Sequence, residues 1–337
     1  MHYSTVLQLA TLAALGDASK INPGHHALHN HRRYATSNGT GYSLTDEYPT
    51  GLDFFSRFSF YTDNDPTHGF VTFVDEDTAT SNNMISAQGN TTYIGVDSTN
   101  VASSTGRQSV RLTSTTTYNS SLFVLDLAHM PGSNCGSWPA FWTLGANWPY
   151  QGEIDIIEGV NQQSGNAMTL HTSDGCTINN NGFSGSISTN NCFVNATGQS
   201  NNAGCGIDST DPTSYGDGFN NNNGGVYATE WTDEFIQIFF WGHDNVPSDL
   251  TNGSPNPASW GQPVALFKGD CDIGSHFQSQ NIIFDITFCG DWAGSVWSSS
   301  ASCSSLSSSC SDYVQNNPSA FQSSYWLVNS LKVFSRS

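Results

Sequence analysis

The sequence is short of charge, and shortest of positive charge: nine Lys and Arg stand against 28 Asp and Glu in 337 residues, a formal net charge of −19. Such a balance repels nucleic acid and anionic membrane and leaves neutral ligands as the natural partners, although part of it simply aids solubility. Beyond the first twenty residues no apolar run is long enough to span a bilayer, and Val328–Ser337 lacks the hydrophobic tail of a lipid anchor. No membrane partner is expected. No CxxC pair occurs, which excludes zinc-ribbon spacing. EF-hand spacing, a Gly-rich phosphate loop and a defensible Ser-His-Asp order are missing as well. A site without cofactor or metal is therefore expected, with an incidental calcium on an outer face as the alternative. Helical periodicity is scarce too.

Gly, Ser, Thr and Asn are abundant instead, and short apolar or alternating runs are separated by turn residues. Strands are predicted at Ser109–Ser114, Ser121–Leu127, Glu153–Ile157, Ala167–His171, Phe235–Trp241, Asn281–Phe288 and Trp326–Phe334. Regular short strands of this kind mean a sandwich or a barrel. In Phe235–Trp241 the Ile236, Ile238 and Phe240 face reads as core, and the Phe235, Gln237, Phe239 and Trp241 face as the wall of a groove. The Asn-rich Phe219–Asn223 and Ser-rich Ser298–Ser311 segments read as loops, the second stapled through Cys303 or Cys310.

No linker or fixed repeat divides the chain after about Tyr42, so residues 35–337 are expected to form one domain. Residues 1–20 read as a signal peptide, with the short apolar run Val6–Leu15 and small residues around Ala18. Residues 21–34, with the dibasic Arg32–Arg33, read as a propeptide. Eight cysteines behind such a start favour disulfides, with 105 connectivities open if all pair. Sequons at Asn38, Asn90, Asn119, Asn195 and Asn252 fit the same route. The expected location is extracellular.

The decisive segment is Trp148-Pro149-Tyr150-Gln151-Gly152-Glu153-Ile154-Asp155-Ile156-Ile157-Glu158-Gly159. Isoleucines between carboxylates suit a pleated strand, with Glu153 and Asp155 on one face and Ile154 and Ile156 in the core. Strict alternation would send Glu158 into the core, where an unpaired charge is very costly. One extra residue, a β-bulge near Ile156–Ile157, returns Glu158 to the acidic face. Carboxyls about 5 Å apart repel by roughly 3 kcal/mol at an effective dielectric near 20, which keeps one of them protonated. An ionised and a protonated carboxyl side by side are what retaining glycoside hydrolysis requires, with Asp155 able to tune its neighbour. The plain alternative is an acidic face in water; the parity shift and the flanking aromatics argue against it.

Glu-Ile-Asp-Ile-Ile-Glu resembles the signature of glycoside hydrolase family 16 in its bulged form. Trp138–Trp142, Glu153–Asn161, Thr169–Thr172, Val226–Trp231 and Phe288–Gly294 are similar to segments of fungal laminarinases, in the same order. The resemblance implies an all-β fold, a β-jelly-roll sandwich of two antiparallel sheets whose concave cleft binds β-glucan. It also implies Glu153 as nucleophile, Asp155 as its assistant and Glu158 as acid/base. The implied protein is an endo-1,3(4)-β-glucanase acting as a monomer, with cell-wall association a further expectation. Two alternatives stay open: a transglycosylase of the same chemistry, and a carbohydrate-binding wall protein without catalysis.

Around this motif, Trp142, Trp148 and Trp292 are candidate sugar platforms, since an indole offers an apolar face and a polar edge. Trp138 reads as packing. His171, in the matching Thr-Leu-His-Thr, is a candidate hydrogen-bond donor to carboxylate or sugar. Arg111 projects opposite Val110 and Leu112, toward the cleft, where it would bond sugar hydroxyls or form a surface ion pair. Arg107 is the weaker candidate for that role.

Overall fold

Two antiparallel eight-stranded sheets form the framework of the computed structural model, which describes residues 41–179 and 181–336. The signal-peptide and propeptide expectations, and the Asn38 sequon, fall outside the described residues. One sheet runs in the order Ala265–Phe267, Ile236–Gly242, Gly225–Trp231, Ser121–His129, Tyr325–Arg336, Thr91–Gly95 and Ile85–Gln88, with Tyr42–Glu47 also pairing Tyr325–Arg336. The other runs Ser186–Ile187, Cys205–Asp208, Ala167–His171, Glu153–Glu158, Ser137–Gly145, Gln280–Phe288, Arg111–Tyr118 and Phe58–Phe60. This is the jelly-roll sandwich, and the Glu153–Glu158 strand lies inside the second sheet with a neighbour on each side.

Alternation explains the main core. Phe123, Leu125 and Leu127 of the first sheet meet Leu112, Ile154, Ile282, Phe284 and Ile286 of the second. Phe284, fully buried, has ring contacts with Phe54, Phe58, Phe141 and Trp326. Burying such a side chain stabilises the fold by roughly 1.5–3 kcal/mol, so a core of this size is ample. Four disulfides take up all eight cysteines: Cys135–Cys303, Cys176–Cys271, Cys192–Cys205 and Cys289–Cys310.

Three expectations change. Ile236, Ile238 and Phe240 do enter the core, but the opposite face lines no groove. Phe239 stacks on Trp241, and both meet the edge of Trp260 at 5.2 Å in a second apolar cluster with Leu122, Val124 and Val226. Trp260 is anchored there by its indole N–H, which donates to Asp249 Oδ2 at 2.8 Å. Phe219–Asn223 is not all loop either: Gly216–Asn221 is a short helix that buries Phe219. Nor is Ser298–Ser311. It contains the Ala301–Ser304 helix and the start of Cys310–Asn316, with the Ser300 and Ser309 hydroxyls accepting from the N–H of Cys303 and Asp312. Serine there caps helices, which a composition reading takes for loop.

The covered outer face gives a direct test. Trp260→Ala should lower unfolding stability by about 3 kcal/mol in denaturant titration, while the KM for the β-glucan that the family resemblance implies should stay within about twofold. A raised KM with unchanged stability would return this face to substrate binding.

Candidate active site

The Glu153–Glu158 strand is out of step with both neighbours at one place. Against Ser137–Gly145, Asp155 faces Trp142 and Ile157 faces Phe141; against Ala167–His171, Asp155 faces Thr169 and Glu158 faces Ala167. Ile156 is the extra residue. Ile154, Ile156 and Ile157 are all fully buried in the core, and Glu153, Asp155 and Glu158 share the other face. The bulge therefore lies where the parity of the sequence requires it.

Each carboxylate has its own partner. Trp148 Nε1 donates to Glu153 Oε2 at 2.6 Å, and Trp138 Nε1 donates to Glu158 Oε1 at 2.8 Å. His171, cross-strand from Glu153, places Nε2 3.3 Å from Asp155 Oδ2. Asp155, Glu158 and His171 are each less than a tenth exposed, and Glu153 keeps partial access to solvent. Burial pushes Glu153 up to about 7, with the Asp155 charge adding to it and His171 and the Trp148 indole opposing. Burial and then Asp155 push Glu158 well above the usual carboxylate range, against the Trp138 donor. Burial lowers the His171 value, but Asp155, Glu153 and Glu158 outweigh it and raise it to about 9. At neutral pH the imidazole is thus a cation among carboxyls that burial and their mutual repulsion push toward protonation.

Trp138 does pack, and it is also the hydrogen-bond donor of Glu158. Its ring meets Trp292 edge-on at 5.7 Å, and Trp292 is partly exposed. Trp148 is 41% exposed beside Glu153. A cavity of about 510 Å³ adjoins that end of the row, lined by Trp148, Tyr150, Asp174, Phe193 and Asn202 among others. Trp142 lies on the same face, buried with Ala140 and Ile283. Arg111 also points that way, yet it is 6% exposed and its guanidinium sits between the rings of Trp142 and Tyr61, 4.9 and 4.8 Å from their centroids. Its ion pair, with Asp285 at 3.8 Å, is buried rather than on the surface. Arg107 is wholly buried and donates to the carbonyls of Val314, Asp97 and Asn100, so it is a structural residue and no sugar ligand.

Asp285 escaped the sequence reading. Burial pushes its carboxyl up to about 7, opposed by Arg111, and it lies cross-strand from Ala140, itself the neighbour of Glu158. The signal was available: a charge that alternates with the core positions Ile282, Phe284 and Ile286 must face the cleft. Asn161, in the left-handed region, accepts from the Gly136 N–H and donates to the Ala293 carbonyl. It thereby ties the start of the Trp138 strand to the Trp292 segment.

A jelly-roll sandwich with a row of buried carboxyls on its cleft face is an architecture for acid–base chemistry. The chain belongs to glycoside hydrolase family 16: residues 58–334 match the family described as the XgeA-like, catalytic GH16 domain. It is 47% identical over 296 residues to an endo-1,3(4)-beta-glucanase of Arthroderma benhamiae, an alignment covering 87% of this chain and 65% of that protein. The chain thus spans just under two thirds of that relative's length. Laminarinase 16A from Phanerochaete chrysosporium, solved with 6-O-glucosyl-laminaritriose in donor and acceptor sites, is 44% identical with a TM-score of 0.80, over 87% of this chain and 99% of that one. An elongating family 16 beta-1,3-glucosyltransferase is 45% identical with a TM-score of 0.82, over 87% of this chain and all of that one.

The charge state of the row has a measurable consequence. A carboxyl whose folded pKa is raised costs stability as pH climbs above its unfolded value, because only the unfolded state releases the proton freely. Glu158→Gln should therefore unfold at a higher temperature than the parent above pH 4.5, the usual glutamate value, with the gap widening toward neutrality and closing below it. A variant less stable than the parent at pH 7 would show that Glu158 is ionised and favourably held.

Proposed function

We propose that the chain is a secreted, retaining endo-β-glucanase that hydrolyses β-1,3- or mixed β-1,3/1,4-glucan as a monomer. The observation that carries this reading is the bulged strand, which sets Glu153 and Glu158 on one buried face with different hydrogen-bond donors. Glu153, in its ionised form, attacks the anomeric carbon, and the bond to the leaving oxygen breaks as Glu158 gives that oxygen its proton. The product is a glycosyl ester on Glu153. Glu158, now a carboxylate, takes a proton from water, which attacks the same carbon and releases Glu153. Asp155 and the His171 cation beside it set the charge around Glu153: Asp155 holds both glutamates toward protonation, and His171 counters it. Partly exposed Trp148, bonded to Glu153, and Trp292, edge-on to the Trp138 donor of Glu158, serve as platforms for sugar rings, with the buried Arg111 held against the ring of Trp142. The four disulfides support an oxidising, extracellular location.

A second reading is transfer, in which a sugar hydroxyl replaces water at the ester. It is favoured by the likeness to the elongating glucosyltransferase. Products longer than the starting laminari-oligosaccharide, followed over time, would identify it.

The double displacement predicts net retention: proton NMR of the first products should show the β anomer, and an initial α anomer would overturn the scheme. Glu153→Gln should lose turnover entirely. Glu158→Gln should fail on natural glucan, keep the glycosylation step on an aryl glucoside with a good leaving group, and be rescued by azide with a β-glycosyl azide as product. Azide rescue to the β product in Glu153→Gln instead would reverse the two roles.

A further inference from the structure

Asn166, a residue with no place in the mechanism above, holds the bulge itself. At the bulge two residues, Ile156 and Ile157, stand opposite the single Met168, so the regular ladder fails between the Asp155–Thr169 and Glu158–Ala167 pairs. The side chain of Asn166, immediately before the neighbouring strand, supplies what the ladder lacks. Its Oδ1 accepts from the Glu158 N–H at 2.9 Å and its Nδ2 donates to the Ile156 carbonyl at 2.7 Å. The carboxamide thus acts as an inserted peptide group, offering one acceptor and one donor to a backbone segment buried away from water.

The clamp is itself fixed. Asn166 is wholly buried. Its N–H donates to Ser214 Oγ at 3.1 Å, and its carbonyl accepts from the Ser209 N–H at 2.8 Å. Ser214 Oγ in turn donates to the Asp211 carbonyl at 2.7 Å, and Tyr227 donates its hydroxyl proton to the Ser214 carbonyl. No substituent of another size or hydrogen-bonding pattern satisfies both backbone groups from this position. A carboxylate loses the donor, an aliphatic side chain loses both bonds, and glutamine reaches one methylene too far.

We propose that Asn166 is a positioning residue: by fixing the bulge between Ile156 and Glu158 it holds the Glu158 carboxyl where the oxygen of the departing sugar needs its proton. This rests on the assignment of Glu158 as acid/base. It differs from a general contribution to folding, because the two bonds end on the two backbone groups that decide which way Glu158 points. An error of about 1 Å in a reacting group can cost about 10²-fold in rate. The loss should fall on the step that uses the Glu158 proton.

The experiment compares kcat/KM on laminarin with kcat/KM on 2,4-dinitrophenyl β-laminaribioside, whose leaving group needs no proton. It uses the parent chain, Asn166→Ala, Asn166→Asp and Glu158→Gln. Asn166→Ala should lose about 10²-fold on laminarin and no more than about threefold on the dinitrophenyl substrate, with laminarin KM nearly unchanged. Asn166→Asp, which keeps the acceptor, should show the same imbalance at smaller size, and it alone is scored if the alanine variant does not accumulate as folded protein. Equal losses on both substrates in the asparagine variants would make Asn166 a folding residue only and overturn the proposal. Glu158→Gln separates the two levels. If it too lacks the imbalance, the acid/base assignment fails and the positioning role with it; if it shows the imbalance and the asparagine variants do not, only the role of Asn166 falls.

Discussion

A β-strand sends alternate side chains to opposite faces, and Glu153 and Glu158 lie an odd number of steps apart along the chain. In a regular strand one of them would be driven into the apolar core. The extra residue at Ile156 resolves this conflict, and much of the site follows from it. Two consecutive isoleucines turn inward where one would be expected, so the core loses nothing. The acidic face gains its third carboxyl. The cost is a broken ladder, and Asn166 repairs it with a side-chain amide.

Bringing three carboxyls together on a buried face raises an electrostatic problem that the same face solves piecemeal. Indole donors, not cations, serve the two glutamates: Trp148 on Glu153 and Trp138 on Glu158. An indole N–H binds either a carboxylate or a carboxylic acid, so the hydrogen bond survives when the proton moves. The cation in the row, His171, sits against Asp155 between them. A lysine or arginine in contact with Glu158 would hold it ionised. Arg111 is instead kept among Tyr61, Trp142 and Asp285.

Much of this is legible in the residues, and the reasons for the rest are physical. The strand at Glu153–Ile157, the bulge and the inward isoleucines follow from parity, a local rule that needs no knowledge of the fold. Parity also places Arg111 on the cleft side. It cannot say what covers a face, and so Phe239 and Trp241 read as groove wall when Trp260, some twenty residues on, packs across them. Trp138 is undecidable for a similar reason: its ring belongs to one strand and its hydrogen bond to the next. Asp285 obeys the alternation rule, but without a second carboxylate beside it in sequence it does not stand out. Asn166 gives no signal at all, because its meaning lies in two bonds across a strand pair and a loop near Ser214. The pairing of Cys135 with Cys303, 168 residues apart, is likewise a product of the folded topology.

The central claim is that Glu153 forms the bond to the sugar while Glu158, returned to the same face by the bulge, manages the proton. The most direct measurement is covalent trapping. A 2-deoxy-2-fluoro-β-laminaribiosyl donor with a dinitrophenyl leaving group slows hydrolysis of the ester more than its formation, and peptide mass spectrometry of the trapped protein locates the label. One glycosyl group per chain, esterified to Glu153, is the predicted result. A label on Asp155 or Glu158, or turnover of the reagent without any covalent adduct, would contradict the account.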